Sequence, residues 1–434
     1  MEMVEAIQKA GVVGAGGAGF PTHVKLNAKA EYFIVNAAEC EPLIETDKYL
    51  CRTYAERIVA TVEKIAAHLE AAHAVIAVKA LGANVEIFTM RTYYPAGDEQ
   101  VLVNQVTGRV VPERGLPLNV GCVVENVGTV LNIADALEGK PVDEKFLSIT
   151  GAVETPVMCH APIGTPITEV LKKAKLLVND YVVILGGPMM GKMQKTREEI
   201  ENAVVTKTTG NLLVLPKNHY LVKRAAMSVE RMARQAATAC LQCRACTDLC
   251  PRHLLGHNVQ PHIIMRSIWR QKSITDPAEF ERAFGSAANC SSCGTCEMFS
   301  CPMGLSPRKM NDYAKGLLRE RGIQPEKNQH PQASDMLEHR RIPTGRLIAR
   351  LGLDEYVFHG LPELFEVEPE EVFIPLSQHI GKPAVPVVTA GDAVKKDDLI
   401  AGSAEGLSAN IHTGFDGVVK EVTPKGIRIS RREA

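Results

Sequence analysis

Two runs, CLQCRACTDLCP at residues 240–251 and CSSCGTCEMFSCP at residues 290–302, hold eight of the chain's twelve cysteines. Each opens as C-x2-C-x2-C and closes on Cys-Pro, the interval at which a polypeptide ligates paired [4Fe-4S] cubes. Three thiolates so spaced wrap one cube, and the later cysteine before proline ligates the other. The spacing predicts Cys240, Cys243, Cys246 and Cys301 on one cluster, with Cys290, Cys293, Cys296 and Cys250 on the second. Three residues precede Cys250 but four precede Cys301, so a bulged local turn is expected there.

Other uses of cysteine compete with this reading. Disulfides need an oxidising compartment, and MEMVEAIQKAG contains no secretory apolar segment. Structural zinc is built from paired CxxC units, although zinc ribbons seldom carry a third cysteine at the same interval or a trailing Cys-Pro. Cys40, Cys51, Cys122 and Cys159 have no ligand spacing and read as buried or incidental thiols.

The chain of 434 residues is long enough for about three or four domains. Its 49 basic and 50 acidic residues leave a formal charge of -1, so no strong field points to nucleic acid or anionic lipid. No apolar run approaches the roughly 18 residues that span a bilayer; a soluble, cytoplasmic protein without a membrane span is expected.

Residues 1–145 mix Gly-rich loops, short apolar strands at Tyr32 to Val35 and Val75 to Val78, and an amphipathic helix near Tyr54 to His68, which is α/β texture. Residues 146–218 alternate short strands with Gly and Pro and predict a small α+β module with a helix near Ile167 to Ala174. Residues 219–325 are helical around the cysteines. Residues 326–371 read as a polar linker with one helix near Arg346, and residues 372–434 as a small β-barrel or sandwich.

The glycine-rich loop runs from Gly14 through Gly16, Gly17 and Gly19 to Phe20. A dinucleotide fingerprint needs a strand before such glycines, whereas MVEAIQKA reads as a short helix. Glycines without Cβ still allow a flat or phosphorylated ligand to approach the backbone.

GAGGAGFPTHVK, followed by Asn36-Ala37-Ala38-Glu39-Cys40-Glu41-Pro42, resembles the flavin and NADH site shared by the respiratory complex I flavoprotein (51 kDa) subunit and the RnfC electron-transport subunit. YPAGDE at 94–99 is similar to that superfamily's second acidic flavin loop, and VENVGT at 124–129 to its phosphate loop. Ala15 stands where the complex I loop has arginine, as in the RnfC-like branch. The resemblance implies a multidomain α/β protein. It would comprise a complex I flavoprotein-like FMN domain, an SLBB β-grasp module, an α-helical two-cluster ferredoxin-like domain and a C-terminal barrel-sandwich-hybrid β domain. In RnfC that last domain comes first; the order here resembles the cobalamin reductases of propanediol-utilising bacterial microcompartments.

The resemblance further implies FMN and two [4Fe-4S] clusters as cofactors and NADH as electron donor. Gly14, Gly16, Gly17 and Gly19 would shape the flavin loop, Lys25 supply a cation, and Asn126 with Thr129 hold the phosphate. Asn36, Glu39 and Asp98 would contact the flavin, while Glu41, Glu99 and Phe20 face the nucleotide. The implied activity is an NADH-dependent oxidoreductase that passes electrons through FMN and the clusters to a corrinoid. Implied partners are a cobalamin adenosyltransferase and a microcompartment shell protein. An RnfC-like subunit or a non-catalytic relay serving a ferredoxin or a glycyl-radical activase is the alternative. No corrinoid ligand is marked, because Asp-x-His-x-x-Gly is not present.

Two further expectations concern single segments. Strands at Val75 to Lys79 and Val85 to Met90 are joined by only about five residues, too few for a helical parallel crossover. They are expected to pair as a hairpin, or the second strand to lie outside the sheet, which affects the nucleotide side of the pocket. Neither Lys395-Lys396 nor Lys420 has the setting of a lipoyl lysine, so the C-terminal domain reads as a docking module, and His379 and His412 as packing histidines.

Overall fold

The computed structural model describes residues 2–17, 19–78 and 85–431. Its first unit is a four-stranded parallel sheet in the order Glu86–Thr89, His73–Val78, Tyr32–Asn36, Cys122–Asn126. Side chains alternate across a strand, so both faces of this sheet can be buried. Phe33 and Val35 pack with Ile58, Val62, Ile65 and Leu69 of the helix Ala55–Leu69 and with Val127, Val130 and Ile133 of the helix Val127–Leu137. Ile34 and Val124 pack on the other face with Val101 and Leu102 of the helix Glu99–Thr107.

The strand Glu86–Thr89 corrects the hairpin-or-excluded expectation. It pairs in parallel with His73–Val78, from Val75 opposite Glu86 to Val78 opposite Thr89. So short a ladder requires a return of only about 10 Å along the sheet and about 4.8 Å across it, which the chain between Val78 and Glu86 can span without a helix. Residues 79–84 themselves lie outside the described residues.

The second sheet has six strands in the order Glu363–Glu366, Val157–Pro162, Glu144–Gly151, Asn211–Pro216, Tyr181–Leu185, Lys192–Gln194, with the helix Ile167–Leu171 against its core. Its edge strand comes from the segment expected to be a polar linker. That segment also holds the expected helix, Thr344–Leu351, and pairs Ile342–Pro343 with Tyr93–Tyr94. Apolar Leu364 and Phe365 give the edge strand something to bury, a signal that the surrounding charges mask.

Helices Val229–Ala239, Pro261–Ser267, Pro277–Phe284 and Pro307–Glu320 carry the cysteine runs between them. Ser228 and Asp276 accept from Arg231 N–H and Glu279 N–H at two of the N-termini, and Pro261, Pro277 and Pro307 begin helices where no N–H is needed. Met232, Ile264, Phe280, Phe284, Met310 and Leu318 form the shared core. The C-terminal β domain is two small sheets of four and three strands. Its core residues Val372, Ile374, Ile411, Val419 and Ile427 are continuous with Ile7, Val12 and Phe33 of the first unit. Among the described residues no helix is long and apolar enough to cross a membrane.

Candidate functional site

The glycine-rich loop leaves the helix Met3–Lys9 and closes on itself, with Gly14 N–H donating to Phe20 O at 2.9 Å. Ala15 N–H donates to Thr129 Oγ1 at 2.9 Å, so Thr129 anchors the loop. Gly16 lies against Asn126, while Gly17 faces open space, with no atom within 4 Å of where a Cβ would stand. Gly19 has φ +65 and a close neighbour: a Cβ there would lie 3.1 Å from the backbone of Gln378 and His379. Ile380 N–H donates to Gly19 O at 3.1 Å. Lys207 Nζ ties the base of the loop to the C-terminal domain, donating to Gly11 O at 2.6 Å and Asn410 O at 2.7 Å.

Lys25 ends the short helix Thr22–Lys25. Its Nζ lies 2.7 Å from Val124 O, 3.3 Å from Glu99 Oε1 and 3.7 Å from Glu125 Oε1. Burial opposes its charge, but Glu125 and Glu99 outweigh burial and hold its pKa above the ordinary value. Glu125, part of the VENVGT motif but given no role by the sequence, is 1% exposed, and its Oε1 has no hydrogen-bond partner among the described residues. Burial pushes its pKa up to about 7 against the pull of Lys25.

A carboxyl raised on folding contributes most below its unfolded value of about 4.3, and that contribution is lost as pH rises through about 7. Glu125→Gln keeps the shape and removes the titration. It is expected to flatten part of the fall in melting temperature between these pH values; an unchanged profile would show that Glu125 does not hold a proton.

Asn36 joins the two acidic loops: Nδ2 donates to Gly97 O at 3.0 Å and Oδ1 accepts from Ala38 N–H at 3.2 Å. The Glu39 carboxylate accepts from Asp47 N–H at 2.7 Å and Lys48 N–H at 3.1 Å, at the start of the helix Thr46–Thr53. Burial and then the Asp47 charge hold Glu39 well above the carboxylate range. Asn126 caps the helix Val127–Leu137 through Gly128 N–H at 2.9 Å and donates to Asp47 Oδ2 at 2.8 Å. Asp47 is also a new member of the site, pushed by burial to about 6.

Two residues expected to face the nucleotide are engaged elsewhere. Glu41 accepts from Met189 N–H and Met190 N–H, each at 2.9 Å, and burial pushes it to about 7. A Cβ on Gly187 would lie 2.2 Å from Glu41 Oε2, so glycine is what lets the β-grasp loop GGPMMGK approach. Glu99 pairs with Lys25. Phe20 is half-buried and its carbonyl closes the loop.

The same loops meet the cysteines. Asp98 caps the helix Glu99–Thr107 and takes both oxygens to Arg252 Nη2, at 2.9 and 3.0 Å. Arg252 stands two residues after Cys250, and Tyr94 OH donates to Cys293 O at 2.6 Å. Nothing in the sequence pairs residues so far apart.

Neighbouring thiols follow the crossed pairing that the spacing expects, with Cys246 also beside Cys296 of the other set. Burial first, then Cys301, Cys240 and Cys243 beside it, push the Cys246 thiol to about 12. Cys250 is raised by burial and by Cys293 and Cys290, and Cys296 by burial and by Cys290, Cys293 and Cys250. Gln242, Arg244, Ser292 and Gly294 all have positive φ, at matching places in the two runs. Ser292 N–H and Leu305 N–H donate to Cys290 Sγ and Cys301 Sγ, each at 3.4 Å. The extra residue before Cys301 is taken up as a π-helical turn over Cys296–Ser300. Among the described residues no three His, Cys, Asp or Glu side chains close on a single ion; in a cube each thiolate binds its own iron. Cys51, Cys122 and Cys159 are buried, and Cys40 is half-buried beside Gly97.

These residues fit the implied groups. The glycine loop is open at Gly17 and lies against Asn126, whose neighbours Val124 and Glu125 face the half-buried Lys25 ammonium. Fold and site define a flavin and iron-sulfur electron-transfer protein. The Nuo51 FMN-binding domain model matches residues 7–135, the 4Fe-4S dicluster domain residues 239–306, and the RnfC barrel sandwich hybrid domain residues 366–432. The chain is 40% identical over 444 residues to cobalamin reductase PduS of Citrobacter freundii, covering 98% of this chain and 96% of that one. Identity is 41% over 447 residues to PduS of Salmonella typhimurium, covering 99% and 96%. One component of the proton-translocating ferredoxin:NAD(+) oxidoreductase complex of Clostridium ljungdahlii is 33% identical over 300 residues, 64% of this chain and 61% of that one. The chain belongs to the PduS cobalamin reductase family.

Proposed function

We propose that this chain takes electrons from NADH and delivers them singly to a corrinoid. The observation that carries the reading is the direct contact between the flavin loops and the second cysteine set, Asp98 to Arg252 and Tyr94 to Cys293. It is supported by likeness along almost the whole chain to proteins named cobalamin reductases. FMN accepts two electrons together and iron-sulfur cubes release them one at a time, which is the conversion a one-electron acceptor needs.

In this reading Lys25 provides the positive charge at the flavin, Asn126 and Thr129 fix the loop that receives its phosphate, and Asn36 with Asp98 holds the two acidic loops in register. Glu39 and Glu125 hold protons beside the ring system. Glu41 and Glu99 border the nucleotide side, where Glu41 must release the β-grasp loop to touch NADH. One NADH reduces two corrinoids from Co(III) to Co(II) and yields NAD+ and one proton. A cobalamin adenosyltransferase would use the further-reduced corrinoid, and a microcompartment shell protein would house the pair.

The test is anaerobic stopped-flow mixing of flavin- and cluster-loaded protein with NADH, with and without cob(III)alamin. Flavin and cluster bleaching followed by cob(II)alamin absorbance is expected. Flavin that NADH fails to bleach would make the chain a relay fed by another protein.

A further inference from the structure

We propose that the corrinoid docks over the set Cys240, Cys243, Cys246 and Cys301, in the groove formed by Gln242, Arg266, Trp269 and Arg270. This rests on the reading that a corrinoid is the acceptor, and adds where it binds and what holds it.

The two cysteine sets differ in their access to solvent. Each set has two buried cysteines, Cys246 and Cys301 in the first and Cys250 and Cys296 in the second, but the second set meets the flavin loops through Tyr94 and Arg252. Cys290 and Cys293 are half-buried, as is Cys240, whereas Cys243 is exposed, so the first set is the one that reaches the surface. Electrons entering at the flavin reach the flavin-facing set first and leave from the one at the surface.

Beside Cys240 lies an open cavity of about 340 Å³ lined by Gln242, Arg266, Trp269 and Arg270. Trp269 is the chain's one tryptophan and is 64% exposed, as is Leu241 next to Cys240. Trp269 lines the cavity itself, so its exposed indole stands directly over the groove beside Cys240. Arg270 is paired with Glu279 at 3.0 Å, whereas Arg266 has no ion pair among the described residues.

The chemistry of a corrinoid matches these groups. Its macrocycle presents an apolar face for an indole, its rim carries amides that Gln242 can bond, and its nucleotide tail carries a phosphodiester suited to a guanidinium. The groove is too small to enclose a macrocycle, so it seats one edge and releases it after one electron. Each visit takes one Co(III) to Co(II), and two visits consume the electrons of one NADH.

The test is equilibrium dialysis of hydroxocobalamin against the oxidised, flavin- and cluster-loaded protein, comparing Trp269→Ala and Arg266→Gln with the parent. Both positions are exposed, and iron and flavin content checks the fold. Each variant is expected to raise Kd about tenfold, while NADH-driven ferricyanide reduction stays unchanged. With cobinamide, which lacks the phosphodiester, Arg266→Gln should have no effect and Trp269→Ala should keep its own. Parent-like hydroxocobalamin binding by both variants would overturn the site. No binding to the parent protein, with ferricyanide still reduced, would instead overturn the corrinoid as acceptor, and the site with it.

Discussion

Cys250→Ala should leave a protein whose flavin is still bleached by NADH but whose delivery of electrons to cob(III)alamin falls to background. Cys250 stands beside Cys290, Cys293 and Cys296, the set expected from the spacing to hold one cluster, which meets the flavin loops through Tyr94 and through Arg252, on the helix Pro251–Leu254. Losing that cube removes about half of the iron and opens a gap in front of the outward-facing set. Cys246→Ala removes the other half and should leave the flavin-facing set reducible by NADH, because the flavin contacts do not involve it. Iron quantification and the cluster absorbance of the two variants separate the sets. Loss of all iron in either variant would show that the two cubes assemble as one folding unit.

Lys25→Ala is expected to strip the flavin while both clusters remain. A charged hydrogen bond contributes roughly 1.5–3 kcal/mol, so loss of the ammonium alone weakens flavin binding by about 10- to 100-fold. The substitution also leaves Glu99 without its ion-pair partner, and its carboxylate then repels an anionic ligand. Asn126→Ala should follow in the same direction by a different route. It frees Gly128 N–H and Asp47 Oδ2, disturbing the helix start on which Thr129 holds the glycine loop. Flavin released on gel filtration, with iron unchanged, is the expected reading; parallel loss of iron would mean that Lys25 supports the cluster region as well.

What is legible along the chain is whatever local spacing encodes. The cysteine runs announce their crossing because three thiolates and a following Cys-Pro are a local pattern, and the glycine, Asn36 and Asn126 loops announce themselves as short motifs. Asp47 and Arg252 do not, because each becomes part of the site only when strands and helices far apart in sequence pack together; Glu125 lies within VENVGT, but its place beside Lys25 likewise comes only from packing. The Asp98–Arg252 contact is the clearest case: an acidic residue capping one helix meets an arginine whose only local mark is its place after Cys250-Pro251. Strand Glu86–Thr89 departs from expectation for a related reason: the crossover rule concerns helix-bearing connections, and a ladder this short does not need one. Glu363–Glu366 is hidden because its two apolar residues are flanked by charge.

The glycine loop is backed by Gln378, His379 and Ile380, and its base by Asn410 through Lys207. A ribosome makes the loop first and its backing only after the β-grasp and cluster regions, a delay on the order of tens of seconds at ordinary elongation rates. Both cysteine runs emerge within that interval, ahead of the backing. The glycine loop therefore acquires its backing only after both cysteine runs have left the ribosome.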